Sequence, residues 1–162
     1  MSELLITSSI DPIEEGAVFL KGLPRHVTIW QYFTLPDSRL DAFTTELGEA
    51  IEAFSPITII GGEDDMFGPK NDTPVRRVRS LGRGAASLEG LHAVTGAIIE
   101  RHDGEIQNPA WAYNGFQAHM TYVDGLALDK GEEAHLKTIE LIEKKEPRNY
   151  KLVRKMWELE DA

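Results

Sequence analysis

The chain has no cysteine, so disulfides, thiolate metal centres and a thiol nucleophile are all excluded. No apolar run approaches the ~18–20 residues that a membrane span needs. The opening residues, Met1-Ser2-Glu3-Leu4-Leu5, lack the basic start of a secretory signal, so a cytoplasmic protein with no membrane partner is expected. Basic residues are also scarce: 17 Lys and Arg stand against 27 Asp and Glu, a net charge of −10. That balance argues against a broad grip on long duplex nucleic acid, which draws on many cation–phosphate contacts. A small anion in a local basic pocket stays compatible with it. One basic cluster exists, Arg76, Arg77, Arg79 and Arg83, and it reads equally as a solvated strand edge. There is no low-complexity segment and no solenoid repeat.

What is present is an ordinary globular composition of 162 residues, 41% hydrophobic and 27% charged, enough for one domain with a real core. Short strands are expected at Leu4–Thr7 and Ala17–Leu20, and a longer one over 25–34, rich in β-branched and aromatic residues and stopped by Leu35-Pro36. Asp37 or Ser38 is placed to cap a helix whose apolar stripe is Leu40, Phe43, Leu47, Ala50, Ile51 and Phe54. Further strands follow at Pro56–Ile60 and Val75–Leu81, on either side of an acidic loop bounded by Gly61, Gly62, Gly68 and Pro69. A second amphipathic helix spans about Ala85 to His102 and is stopped by Asp103-Gly104. Residues 105–115 form a loop. In the tail, a hairpin turning at Glu146-Pro147-Arg148-Asn149 is preferred to a helix over 132–143, because Pro and Asn are turn formers. The pattern is α+β with mainly antiparallel strands and two helices.

Chemistry is carried by a pair of matching tetrapeptides, His26-Val27-Thr28-Ile29 and His119-Met120-Thr121-Tyr122, each inside a strand-like apolar run. Strand alternation turns His and Thr of each motif to one face, with Val27 and Ile29, or Met120 and Tyr122, turned to the core. One such tripeptide is a chance-level match; two in strands are not. Phosphodiester cleavage needs a base for the nucleophile, an acid for the leaving oxygen and donors for the non-bridging oxygens. Two histidines can share the first two roles near neutral pH, and Thr28 and Thr121 can supply the donors.

With these motifs the chain resembles the two-histidine phosphoesterase superfamily, which includes RNA-ligase-like and cyclic phosphodiesterases and phage members that destroy nucleotide messengers. The resemblance follows most of the chain. It implies a bilobal α+β fold, residues 1–162 as a single domain, with two flanking helices and a central cleft between the motifs. It further implies His26 and His119 as the acid–base pair with Thr28 and Thr121 on the phosphate, and no cofactor. Ala118 departs from the pattern, since many relatives carry proline before the second histidine.

Around the motifs, alternation puts Trp30 and Tyr32 on the face of His26 and Thr28, which makes Trp30 either a stacking platform for a base or a wall closing the sheet. Trp111 and Tyr113 precede the second motif, as stacking groups or as loop anchors. Arg77 and Arg79 face a phosphate if their strand lines the cleft. The run Glu63-Asp64-Asp65 reads as solvated surface, and no metal is expected. The expected activity is metal-independent cleavage of short or cyclic oligonucleotides: a 2′,3′-cyclic phosphate, a 2′–5′-linked oligoadenylate or a cyclic messenger that signals infection. The alternative is a module of the same fold that binds a nucleotide without cutting it.

Overall fold

The computed structural model describes residues 1–161. Its strands are β1 (Ser2–Ser9), β2 (Val18–Phe19), β3 (His26–Leu35), β4 (Ile57–Phe67), β5 (Thr73–Ser80), β6 (Glu105–Ile106), β7 (His119–Thr121), β8 (Glu133–Leu136), β9 (Thr138–Lys145) and β10 (Tyr150–Glu158). Two helices, α1 (Leu40–Ile51) and α2 (Leu88–Arg101), complete the α+β fold. The strands run in the order β2-β10-β9-β1-β3-β7-β5-β4-β8, all pairs antiparallel, with β6 also on β3. The sheet thus has two halves, one holding β1, β3, β9 and β10, the other β4, β5, β7 and β8. They meet at one residue pair, Val27 opposite Met120.

The main core lies where α1 and α2 cover one face of this sheet. Leu4, Ile6, Val27, Ile29 and Phe33 from the strands pack with Phe43 and Leu47 of α1 and Leu91, Ile98 and Ile99 of α2. Each such buried side chain contributes roughly 1.5–3 kcal/mol by leaving water. On the other face, a smaller cluster of Leu5, Leu23, Ile142 and Val153 seats the segment 10–24.

Several expectations change in detail. The acidic stretch after Ile60 is strand, not loop: β4 continues through Glu63, Asp64 and Asp65 to Phe67, with a bulge between Gly61 and Asp64. Opposite charges stabilise this extension, because Asp64 faces Arg76 across the ladder and Asp65 is ion-paired with Arg77. Asp37 does not cap α1; its carboxylate takes the Met1 ammonium and the Ser2 hydroxyl. Helix α2 starts at Leu88, where the Ser87 hydroxyl accepts the Gly90 N–H at 3.0 Å. The tail is the expected hairpin of β9 and β10, and Leu136, just before it, ends β8 on the far half.

The candidate active site

Both motif histidines open their strands and are held by the same device. His26 Nδ1 lies 2.8 Å from the Pro24 carbonyl, and His119 Nδ1 lies 2.8 Å from the Gln117 carbonyl. A carbonyl only accepts, so each Nδ1 carries the hydrogen and donates it. That leaves each Nε2 as the atom that takes up or releases a proton. Segment 10–24 anchors the approach to His26, because Arg25 donates to both carboxylate oxygens of Asp11 (3.0 and 2.8 Å). On the other side, the Ala118 carbonyl accepts the Val78 N–H at 3.1 Å, so the ladder reaches the residue before His119.

The pairing of Val27 with Met120, continued one residue either way, sets His26 across from Thr121 and Thr28 across from His119. The four motif side chains therefore converge on the seam between the half-sheets. Burial chiefly holds His26 below the ordinary histidine range, and the charge of His119 and of Lys151 lowers it further. Burial likewise lowers His119, with Arg77 adding to it; Arg77 is its direct cross-strand neighbour.

A cavity of about 430 Å³ opens beside His119 and Thr121. Phe67 and Trp111 form its aromatic wall, and Gln31 and Asn108 bring amide groups to it. Phe67 meets the His119 ring edge-to-face at 4.8 Å and Trp111 at 4.9 Å, and the Arg77 guanidinium lies over the Phe67 ring, 5.1 Å from its centroid. A narrower recess reaches from Trp111 and His119 to Thr28 and Gln117.

Among the expected site residues, Trp30 lies elsewhere. It is 2% exposed, stacks on His92 with centroids 4.1 Å apart, and its indole N–H donates to the His92 carbonyl. The reason is irregular register: Thr7 faces Thr28, Ile6 faces Trp30 and Leu4 faces Phe33, so β3 spends extra residues twice. Each bulge reverses alternation. Trp30 swings to the helix face, and Gln31 takes the position at the cleft. Tyr113 also lies outside the cavity lining, its ring edge-on to Trp30 and its hydroxyl donating to Glu100 at 2.6 Å. Arg77 stands across from His119 while ion-paired to Asp65, and Arg79 lies two residues further along β5; neither lines the cavity. Phe67, Gln31 and Asn108 were not anticipated. The readable signal for Phe67 was the apolar pair Met66-Phe67 ahead of a Gly68-Pro69 turn, matched by Pro74-Val75 beyond it.

No protein-family model and no curated protein sequence matches the chain. Solved structures do match over nearly its whole length. The crystal structure of a phosphoesterase has a TM-score of 0.66 at 12% identity, with 99% of this chain and 100% of that one covered. LigT of E. coli, complexed with 3′-AMP, has a TM-score of 0.61 at 11% identity and 99% coverage of both chains. A Thermus thermophilus protein has a TM-score of 0.57 at 16% identity and 97% coverage of both. At such identities the likeness speaks for architecture, and on that ground the chain has the two-histidine phosphoesterase fold of LigT.

Proposed function

We propose that the protein is a phosphodiesterase that cleaves short or cyclic oligonucleotides by two-histidine acid–base catalysis. One observation carries this reading. Two imidazoles, each locked through Nδ1 on a backbone carbonyl with Nε2 left to exchange a proton, flank a seam that also holds two threonines. One neutral Nε2 takes the proton of the nucleophile, either water or a ribose 2′-hydroxyl. The other, protonated, delivers its proton to the leaving oxygen as the P–O bond breaks. Thr28 and Thr121 donate to the non-bridging oxygens. The aromatic wall of Phe67 and Trp111 suits a stacked base, with the Gln31 and Asn108 amides addressing its polar edge. The fit to a nucleotide agrees with LigT having been crystallised with 3′-AMP and with NADP+.

The substrate class follows from size and charge. A cavity of about 430 Å³ in a chain of net charge −10 suits a nucleotide or a short strand rather than a duplex. The candidates are a 2′,3′-cyclic phosphate, a 2′–5′-linked oligoadenylate and a cyclic oligonucleotide messenger. The test is to incubate wild type, His26→Ala and His119→Ala with that panel, with and without EDTA. Turnover by wild type alone, unaffected by EDTA, is the expected result, with each variant reduced by about 10²–10⁴-fold. Binding without cleavage by all three proteins favours a sequestering module. Full activity in either variant sinks the assignment.

A further inference from the structure

Behind the first motif lies a carboxyl that the chemistry above does not use. Glu140 on β9 is 0% exposed, and no cation among the described residues touches it. In the ladder Glu140 faces Thr7, and Thr7 faces Thr28. Directly opposed residues point to the same side of a sheet, so Glu140, Thr7 and Thr28 form one row leading to the cleft. The adjoining row puts Ser9 opposite His26. The Thr7 hydroxyl lies 3.5 Å from Glu140 Oε1, whereas Glu140 Oε2 and Ser9 Oγ are both buried without a hydrogen-bond partner among the described residues.

The second half-site is built on the same plan with opposite electrostatics. There Thr121 faces Val75, Val75 faces Asp65, and His119 faces Arg77. Asp65 is ion-paired to Arg77. An acid thus sits two strands behind each catalytic threonine; one is neutralised by a cation and the other is surrounded by hydroxyls.

We propose that Glu140 is a positioning residue that makes phosphodiester binding proton-dependent, its carboxyl being neutral when the cleft holds an anion and resisting that anion when ionised. This rests on the phosphodiesterase reading. The groups facing Glu140 are the Thr7 and Ser9 hydroxyls from β1, Thr138 on its own strand and Met156 on β10. On that side of the sheet the titratable groups are His26 across Ser9, and Lys144 and Lys151 further along β9 and β10 with Tyr32 beside Lys144. Segment 10–24 adds the Asp11–Arg25 pair next to His26, and Glu15, which accepts the Met156 N–H. Burial pushes the Glu140 carboxyl up to about 7, with the surrounding hydroxyls opposing the rise only in part. Two strand spacings put it roughly 10 Å from Thr28, at the near edge of the phosphate position. At that distance, with little screening, a carboxylate weakens binding of a single negative charge by about tenfold.

The probe is a 2′-deoxy dinucleoside phosphorothioate, which lacks the 2′-hydroxyl and keeps one negative charge throughout. Its Kd is measured for wild type and Glu140→Gln from about pH 5.5 to about pH 8.5, which spans the histidine and raised-carboxylate ranges. The expected ratio of wild-type to variant Kd rises from near one to about ten across that range. A merely structural glutamate leaves the ratio constant, and that result overturns the assignment. Carbon-13 NMR of labelled glutamate in the wild type gives a second reading that needs no variant. The Glu140 midpoint moves up by about one pH unit on binding, by reciprocity of linkage; an unmoved midpoint also overturns the proposal. Failure of the wild type to bind the probe at any pH overturns the phosphodiesterase reading and this inference together, whereas binding with a constant ratio overturns this inference alone.

Discussion

His26 and His119 differ from ordinary surface histidines in that their Nδ1 hydrogens are committed to carbonyls. Both are held below the usual histidine range, chiefly by burial. In the proposed chemistry the productive state carries one proton on the pair, and in the unliganded protein that state is most populated below about pH 6.5. The kcat/KM profile is therefore expected to be bell-shaped with its maximum on the acidic side of that value; a plateau extending above pH 8 contradicts it. Thr28→Ala or Thr121→Ala is expected to lower kcat by about 10²-fold, since each removes one donor to the developing charge. Phe67 and Trp30 separate two uses of an aromatic ring. Phe67→Ala removes a stacking face and is expected to raise KM about tenfold with little change in thermal midpoint. Trp30→Ala opens a hole in the core at a cost of about 3–5 kcal/mol, read from denaturant unfolding.

Elements place these residues with differing fidelity to what the sequence displays. The strands at both motifs, the two helices and the closing hairpin were legible because each has a clear period or a turn with Pro, Gly or Asn. Trp30 was misplaced because β3 bulges between Thr28 and Phe33, and no residue type announces a bulge that has no glycine. The strand through Asp64 and Asp65 was hidden by its composition. Acidic residues disfavour strands on propensity, and only their pairing with Arg76 and Arg77 across a hairpin overrides it. Loop 107–116, which carries Trp111, depends on His92 of α2. That imidazole donates to the Ile29 carbonyl at 2.7 Å, accepts the Tyr113 N–H at 2.9 Å and stacks between Trp30 and Phe116. Replacing His92 by Phe keeps the stack and strands both backbone groups, so a loss of about 1–3 kcal/mol is expected with faster amide exchange at Tyr113.

At the scale of the molecule, Glu140 ties stability to pH. Its folded-state value of about 7 lies above the usual carboxylate value of 4.5. Its contribution is fully present below the unfolded value and is lost as pH rises through the folded one, in total about 3 kcal/mol. Glu140→Gln is therefore expected to match wild type near pH 4 and to exceed it by up to that amount at pH 8, as measured by urea midpoints. The two half-sheets also differ in how the chain reaches them. The half with β4, β5, β7 and β8 is one continuous stretch, whereas Thr7 meets Glu140 across 133 positions of sequence. On the ribosome, β3 can gain β6 and β7 as neighbours early, but β1 must wait for β9 before it has a second one. The half-sheet behind His119 can therefore close while the one behind His26 still lacks the β9–β10 hairpin, so the row from Thr28 through Thr7 to Glu140 is the last part of the sheet to be covered.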